Sequence, residues 1–245
     1  KSQYKAFTDY FQRKGLAPHF GTLDSLTRVM GNVSFEHQGR RIEGMRMQNL
    51  GDAYMVNGWE AMPYDNHSGI VDIYRNPKGD ASILAYYNQP LYMAVASRNQ
   101  VVRLPGSAAV DFYIVNEKDL KGNHTLEIQM IAPDGKVVYT REEKVNLKGG
   151  ETFGQLLLEN VEIPVNAQEG TYRIEAAIKA DNRQICARGH DEVVAVGWQA
   201  SDLSGNGAYY GDGDDKVAAF YKKETGKELP AFSSGQGKLD WLVVN

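Results

Sequence analysis

Apolar and polar positions follow two different periods along this chain, and the change falls about a third of the way along it. In the first part, apolar side chains recur every three or four residues, which is the spacing of helices that bury one face. Tyr4, Phe7 and Phe11 predict a first helix over residues 4–14, and Gly15 predicts its end. This part of the chain is therefore predicted to be mainly helical.

Two further helices are predicted before residue 50. Thr22 can cap a short one, because a threonine side chain accepts a hydrogen bond from the first turn. Asn32 or Ser34 can cap a separate third helix. The side chains predicted to face inward from this third helix are Phe35, Ile42 and Met45. Those predicted to face outward are Arg40, Arg41 and Arg46.

A strand, a polar loop and a fourth helix complete the first ninety residues. The apolar run after Asp52 predicts a strand over residues 53–60, and a polar loop follows at 64–69. Pro77 marks a turn, and residues 81–88 predict a helix. Residues 1–90 are thus predicted to contain, in order, three helices, a strand, a loop and a fourth helix.

From Leu91 onward the pattern changes to short runs with the two-residue period of half-buried strands. Turn residues separate the runs, as at 132–136, where Pro133 sets φ and Gly135 accepts a positive φ. The runs lie at 92–95, 101–102, 110–115, 126–130, 137–139, 153–158, 172–178 and 192–196. Seven or eight strands at this spacing predict an immunoglobulin-like β-sandwich over residues 91–198.

Residues 199–245 are predicted to form a linker and part of an α/β domain. The linker is rich in glycine and aspartate, and a strand, a helix and a strand follow it as one βαβ unit. One such unit cannot bury both faces of a parallel sheet. It therefore either packs on the sandwich or begins a third domain, and the second alternative is favoured. A nucleotide- or flavin-binding role for this tail is a weaker alternative, because it has no glycine-rich phosphate loop.

The composition narrows the class of protein. The chain has 245 residues, 42% of them hydrophobic and 24% charged, which is typical of a soluble globular protein. The net charge of -4, with both signs spread along the chain, argues against a nucleic-acid partner. No apolar run approaches the ~18 residues of a membrane helix. Cys186 is the only cysteine, which excludes an internal disulfide and a cysteine zinc site.

Two further expectations come from single features of the sequence. The chain begins at Lys1, inside a predicted helix, so it is expected to be a piece of a longer protein. The histidines have no partners at metal-ligand spacing and no cofactor motif is present, so neither a metal nor a cofactor is expected.

Polar side chains concentrate directly after the predicted 53–60 strand. Trp59 and Glu60 end the strand, and Asp65, Asn66 and His67 lie in the loop that follows. An aromatic ring, a carboxylate and hydrogen-bonding loop residues after a strand predict a polar pocket, as at the carboxyl ends of α/β-barrel strands. The alternatives are a tryptophan in the core, a glutamate at the surface, and a loop that stabilises itself by Asx-type turns.

The same stretch resembles a known family. The run YMVNGWEAMPYDNHSGIVDIYRNPKGDASILAYYNQPL, from Tyr54 to Leu91, is similar to the last barrel strand and following helix of family 2 glycoside hydrolases. This is the group of β-galactosidases, β-glucuronidases and β-mannosidases. The features that carry the resemblance are Trp59 at the strand end, the segments 69–72 and 75–78, the helix at 81–88 and the sandwich at about 91–198.

The resemblance implies a fold of mixed class: the terminal βα part of a (β/α)₈ barrel, an immunoglobulin-like β-sandwich, and a short βαβ piece of an α/β domain. It also implies that Trp59 packs on a sugar ring, while Glu60, Asp65, Asn66 and His67 bind sugar hydroxyls. The substrate would be a β-linked carbohydrate, and an extracellular or periplasmic location is favoured.

The catalytic residues that the resemblance implies are absent from this chain. A retaining glycosidase needs two carboxyl groups about 5 Å apart, and the family takes both from earlier barrel strands, one of them in an Asn-Glu pair. The Asn116-Glu117 pair here ends a predicted sandwich strand, so it is interpreted as structural. Both catalytic glutamates are therefore expected upstream of Lys1, and the chain alone should be inactive.

A non-catalytic module is the alternative. In it the sandwich binds a glycan or a protein partner, and residues 1–90 are a helical accessory domain. Self-association would distinguish the two hypotheses, because a barrel fragment exposes apolar faces that a complete helical domain covers.

Overall fold

The computed structural model describes residues 2–51, 53–55, 69–72, 74–197, 205–211 and 216–244. The chain divides into two compact units, Lys1–Val196 and Gly197–Asn245. The first unit contains a helical part and a β-sandwich. Its helices are α1 (Ser2–Arg13), α2 (Ala17–Phe20), α3 (Leu23–Arg46) and α4 (Ala81–Tyr87).

A single long helix, α3, replaces the second and third helices predicted from the sequence. Thr22 caps it as predicted, because its hydroxyl oxygen accepts a hydrogen bond from the Ser25 N–H at 3.1 Å. The predicted break at Asn32 or Ser34 is wrong. The Asn32 side chain instead accepts a hydrogen bond from the Asp80 N–H at 2.7 Å, which ties α3 to the start of α4.

The packing of α3 depends on two of its glycines. A Cβ on Gly31 would lie 1.9 Å from the Lys78 carbonyl oxygen, and one on Gly39 would lie 2.0 Å from the Tyr87 ring. These positions let a neighbouring backbone and a ring approach the helix closely. The two glycines therefore serve packing against 78–87 rather than a break in the helix.

The burial of the α3 side chains differs in part from the prediction. Phe35 and Ile42 are buried, as predicted, and pack with Leu84 and Tyr87 of α4. Met45, predicted to face inward, is 47% exposed, whereas Arg46, predicted to face outward, is only 5% exposed. The reason is that the end of α3 turns its Arg46 side onto the sandwich.

The predicted strand at 53–60 is not present in residues 53–55, the part of this range that the structure describes. Ala53, Tyr54 and Met55 are not in a strand, and Met55 is 91% exposed. A barrel strand needs a neighbour on each side to satisfy its backbone hydrogen bonds, and the described part of the first unit offers it none. Residues 56–60 lie outside the described residues, and the barrel itself is not seen.

The sandwich contains the strands predicted from the two-residue period. Their bounds are β1 Leu91–Ser97, β2 Val101–Arg103, β3 Gly106–Asn116, β4 Gly122–Ile131, β5 Val137–Leu147, β6 Gly154–Val165, β7 Gly170–Lys179 and β8 Ile185–Val196. Three of these strands form one sheet in the order β1-β3-β6, and five form the other in the order β2-β8-β7-β4-β5.

The core lies between these two sheets. Alternate side chains of facing strands fill it, and Phe112, Ile114, Leu126, Ile128 and Ile174 are completely buried. Burial of apolar side chains from both sheets is the main stabilising contribution in a sandwich of this kind. The other face of the five-stranded sheet carries polar and charged side chains.

The second unit contains the predicted strand, helix and strand. They are β9 (Gly207–Tyr210), α5 (Lys216–Thr225) and β10 (Trp241–Val244). β9 and β10 pair in parallel, with Gly207 opposite Trp241. The small Gly207 makes room for the Trp241 ring, since a Cβ there would lie 2.0 Å from it.

None of the helices in the described residues has the length and apolar character needed to cross a membrane.

Candidate functional site

The side chains predicted to bind sugar lie outside the residues that the structure describes. This holds for Trp59, Glu60, Asp65, Asn66 and His67. Their roles therefore remain predictions, and what the structure provides is the segment that follows the loop.

The described part of that segment, residues 69–72 and 74–78, forms a tight turn. The Lys78 N–H donates to the Ile70 carbonyl at 3.1 Å, and the Asp72 N–H donates to the Asn76 carbonyl at 2.9 Å. The Asp72 carboxylate accepts hydrogen bonds from the N–H groups of Tyr74 and Asn76, both at 2.8 Å. Its bonds to Asn76 lower the pKa of Asp72. Asp72 thus holds this turn in place.

The long helix separates this turn from the sandwich. Gly31 of α3 packs on Lys78 of the turn, while Arg46 at the helix end contacts the sandwich. Fifteen residues separate the two positions, which corresponds to about 22 Å along the helix axis at 1.5 Å per residue. The turn and the sandwich therefore contact different parts of α3.

Arg46 is the centre of the helix–sandwich junction. Its guanidinium donates to the carbonyl oxygens of Tyr87 at 2.5 Å and Gln89 at 2.8 Å, and to Glu117 Oε1 at 2.7 Å. It also lies over the Tyr92 ring, 5.3 Å from the ring centre. A buried guanidinium needs such partners, because an unpaired buried charge is strongly destabilising.

The Asn116-Glu117 pair has structural partners. The Asn116 side chain accepts from the Leu120 N–H at 3.0 Å and donates to the Leu120 carbonyl at 2.7 Å, which closes the turn after β3. Glu117 is bound by Arg46.

A second group of charges joins α3 to the sandwich at Arg40. Its guanidinium donates to Asp191 Oδ1 of β8, and to Glu43 Oε2 at 2.9 Å. Asp191 also accepts from the Ser97 N–H at 3.0 Å. Glu43 Oε1 is buried and has no hydrogen-bond partner in the described part of the chain. Burial raises the pKa of Glu43 to about 7 against the lowering effect of Arg40, so Glu43 carries a proton at mildly acidic pH.

The outer face of the five-stranded sheet has a groove of about 520 Å³, which we call the sheet groove. In the strand register, Ala177 of β7 lies opposite Arg188 of β8, and Glu175 lies opposite His190. The remaining lining residues include Tyr86, Glu127, Gln129, Arg173 and Ile185.

One end of the sheet groove is formed by Tyr86 and His190. The Tyr86 hydroxyl oxygen accepts a hydrogen bond from the His190 backbone N–H at 3.0 Å, and the two rings are 5.0 Å apart. Burial, with the positive charges of Arg173 and Arg40, lowers the pKa of His190. His190 is therefore neutral near pH 7.

The charges in the sheet groove are mostly paired. Glu175 Oε1 accepts from Arg173 Nε at 2.8 Å, and Glu127 Oε2 accepts from Lys179 Nζ at 2.5 Å. Arg188 has no hydrogen-bond or ion-pair partner among the described residues. Its guanidinium is consequently available to a ligand. None of this was predicted from the sequence, because the groove combines residues from one helix and three strands.

An apolar groove of about 790 Å³ lies along α1 and α3. Large side chains line it and are well exposed, among them Phe7 at 63% and Met30 at 64%. Other exposed apolar side chains in these two helices are Tyr4, Tyr10, Val29 and Val33. We call this surface the apolar helix face.

No cluster of histidine, cysteine, aspartate and glutamate side chains that could hold a metal ion occurs within the described ranges.

Comparison with known proteins gives only distant structural similarity. No family model matches the sequence, and no curated protein matches it either. A solved β-glucuronidase of Bacteroides uniformis is 16% identical over 42% of this chain and 13% of its own, with a TM-score of 0.32. A complex of an exo-chitosanase of Amycolatopsis orientalis is 15% identical over 71% of this chain and 20% of its own, with a TM-score of 0.47.

Another match is a glycosyl hydrolase family 2 member of Bacteroides cellulosilyticus, 16% identical over 43% of this chain and 15% of its own, with a TM-score of 0.31. The chain thus spans no more than about a fifth of these relatives' length. At TM-scores no higher than 0.47, these similarities do not by themselves establish the fold or the function of the chain.

Proposed function

We propose that this chain is the C-terminal part of a retaining glycoside hydrolase of the family 2 type that acts on β-linked carbohydrate. It contributes the last βα part of a (β/α)₈ barrel, an immunoglobulin-like sandwich and the beginning of an α/β domain. It supplies part of the sugar subsite, whereas the two catalytic glutamates lie upstream. An extracellular or periplasmic location goes with this proposal.

The apolar helix face is the observation that carries the proposal. Side chains as large as Phe7 and Met30 are more than half exposed along α1 and α3. Soluble monomers rarely expose contiguous apolar surface of this kind. In a (β/α)₈ barrel the helices form an outer layer whose apolar side packs against the strands. The apolar helix face is what such helices present when the strands that cover them belong to the rest of the protein.

The order of elements along the chain also supports the proposal. The turn at 69–78 and the helix α4 lead directly into β1 of the sandwich, as the resemblance implies. The turn is held by Asp72. In the proposal this turn follows the predicted polar loop at 64–69 and gives it a fixed end, so that its side chains are held in position for a substrate.

In the complete enzyme, each of the five predicted sugar-binding residues would have a role. Trp59 would pack on the apolar face of a sugar ring, and Glu60 would accept hydrogen bonds from sugar hydroxyls. Asp65, Asn66 and His67 would orient further hydroxyls. The chemistry would be a double displacement by two upstream glutamates, one as nucleophile and one as acid and base. Glu117 takes no part in it, because Arg46 binds it at the junction.

The proposal is tested by the coding sequence upstream of Lys1 and by activity. Repeated strand–helix units, with an Asn-Glu at one strand end and a second glutamate at a later one, are expected upstream. The longer protein should hydrolyse p-nitrophenyl β-glycosides with retention, and this chain alone should not. Hydrolysis by this chain alone, or an upstream region without strand–helix units, would overturn the proposal.

A further inference from the structure

We propose that the sheet groove binds an acidic oligosaccharide, that is, a sugar chain with carboxylate groups, and that Arg188 binds a carboxylate of it. None of the residues that line the groove belongs to the subsite proposed around Trp59. The groove site does not depend on glycosidase activity, because all the residues that form it are described in this chain.

The strand register creates the space for a ligand beside Arg188. Ala177 lies opposite Arg188 on the neighbouring strand and has only a methyl group. Glu127 follows on the next strand, opposite Ala177. Glu127, Ala177 and Arg188 therefore form a row across three strands. The row has long polar side chains at both ends and a gap in the middle. The volume of about 520 Å³ lies within the usual range of ligand pockets.

The distribution of charge indicates an anionic group in the ligand. Both acidic side chains that line the groove have a cationic partner, Arg173 for Glu175 and Lys179 for Glu127. Arg188 is the lining charge left without a partner in the described residues. A guanidinium binds one carboxylate with two parallel hydrogen bonds. A nucleic acid would need a cluster of unpaired basic residues, so a carboxylate fits better than a polyphosphate chain.

The remaining polar groups fit sugar hydroxyls. Each paired glutamate has a second carboxylate oxygen that accepts hydrogen bonds, and the Gln129 amide both donates and accepts. A hydroxyl group also donates and accepts, so a groove that offers both acceptors and donors matches a chain of hydroxyls. Tyr86 adds an aromatic ring, which its hydrogen bond from His190 holds at the end of the groove.

The test compares two oligosaccharides that differ only at C6. The β-1,4-linked mannuronate hexamer carries carboxylates, and β-1,4-mannohexaose carries hydroxymethyl groups in their place. Each is titrated into the full chain by calorimetry. The mannuronate hexamer is expected to bind at least ~10-fold more tightly than mannohexaose, since hydrogen bonds to charged groups are the stronger ones.

Two variants and a control locate the site. Arg188→Ala should weaken mannuronate binding at least ~10-fold, and Ala177→Leu should weaken it by filling the gap. Arg41→Ala removes an exposed arginine of α3 and should leave binding unchanged. Circular dichroism and Tm confirm that each variant is folded. No binding of the mannuronate hexamer, equal binding of both hexamers, or unchanged binding by Arg188→Ala would each overturn the proposal.

Discussion

Arg46 Nη2 and Glu117 Oε1 are 2.7 Å apart and join the last turn of α3 to the end of a sandwich strand. The two residues differ in their surroundings, because Arg46 is buried and Glu117 is half-exposed. The guanidinium also holds the carbonyl oxygens of Tyr87 and Gln89, at the connection from α4 to β1. Two of the three hydrogen bonds of the guanidinium are therefore to backbone carbonyl groups, and the third is the ion pair with Glu117.

The first prediction separates the contribution of the backbone contacts of Arg46 to stability from that of its ion pair with Glu117. Arg46→Met should lower the free energy of unfolding by about 2–4 kcal/mol, because the carbonyl groups of Tyr87 and Gln89 lose their donor. Glu117→Gln should lower it by only about 0–1 kcal/mol, because Glu117 is half-exposed and the glutamine amide oxygen can still accept the hydrogen bond from Arg46. Urea denaturation of both variants measures the difference.

Glu117→Gln also has an expected result in catalysis. It should leave the glycosidase activity of the longer protein unchanged. A loss of several orders of magnitude would mean that Glu117 is catalytic, whereas equal destabilisation by Arg46→Met and Glu117→Gln would mean that the ion pair is the main contact.

The second prediction concerns pH and Glu43. Its pKa rises from 4.5 to about 7 on folding, chiefly by burial, so the folded chain binds more protons in this range than the unfolded chain. The contribution of Glu43 to stability is therefore fully present below pH 4.5 and falls as the pH rises to 7. Glu43→Gln, which mimics the protonated form, should remove this part of the pH dependence.

The measurement is the free energy of unfolding of wild type and Glu43→Gln at several values between pH 4.5 and 8. The variant should gain about 2–3 kcal/mol relative to wild type across this range. Glu142→Gln, at an exposed position of β5, is the control and should follow wild type. Parallel curves for wild type and Glu43→Gln would show that Glu43 is charged throughout.

The third prediction uses two glycines of the same helix. Gly39→Ala places a Cβ 2.0 Å from the Tyr87 ring and should destabilise the chain by about 1–3 kcal/mol, as overpacking does. Gly44→Ala meets no atom within 4 Å and should stabilise it by about 0.5–1 kcal/mol, because alanine favours the helix. Thermal unfolding of both variants shows directly whether each substitution raises or lowers the stability. An equal gain in stability from both would contradict the close packing at Gly39.

The strands of the sandwich could be predicted because their pattern is local. Alternation along each strand and turn residues such as Pro133 and Gly135 act within a few residues, and the turn there is present with a Gly135 φ of 84°. The helix break at Asn32 was wrong for the opposite reason. An asparagine can cap a helix, but here it binds Asp80, 48 residues away, and no local pattern shows that contact.

The same contrast between local pattern and long-range contact applies to the candidate sites. Arg46 was expected at the surface because arginine usually lies there, and only the docking of α3 on the sandwich reveals its buried partners. The sheet groove joins Tyr86 to strand residues between Glu127 and His190, so its composition depends on the strand register. The residues around Trp59 lie outside the described ranges, and their role stays a prediction.

The fourth prediction concerns the apolar helix face. If barrel strands cover it in the longer protein, this chain alone should self-associate, since exposed apolar surface drives association. The double variant Phe7→Glu with Met30→Glu should shift the chain towards monomer in sedimentation velocity. Val137→Glu, at an exposed apolar position of β5, is the control and should not. A monomeric wild-type chain at high concentration would favour the alternative of a complete helical domain.

The fifth prediction places Trp59 in the sugar subsite. In the longer protein, Trp59→Ala should lower kcat/KM by ~10²-fold or more, because the substrate loses the ring that positions it. Trp59→Phe keeps an aromatic face and should retain more activity than Trp59→Ala. The Tm should change little in both variants, because a ring that packs on the substrate is not expected to stabilise the core. A large fall in Tm with Trp59→Ala would instead make Trp59 a core residue, and the loop at 65–67 would then have to bind the sugar without it.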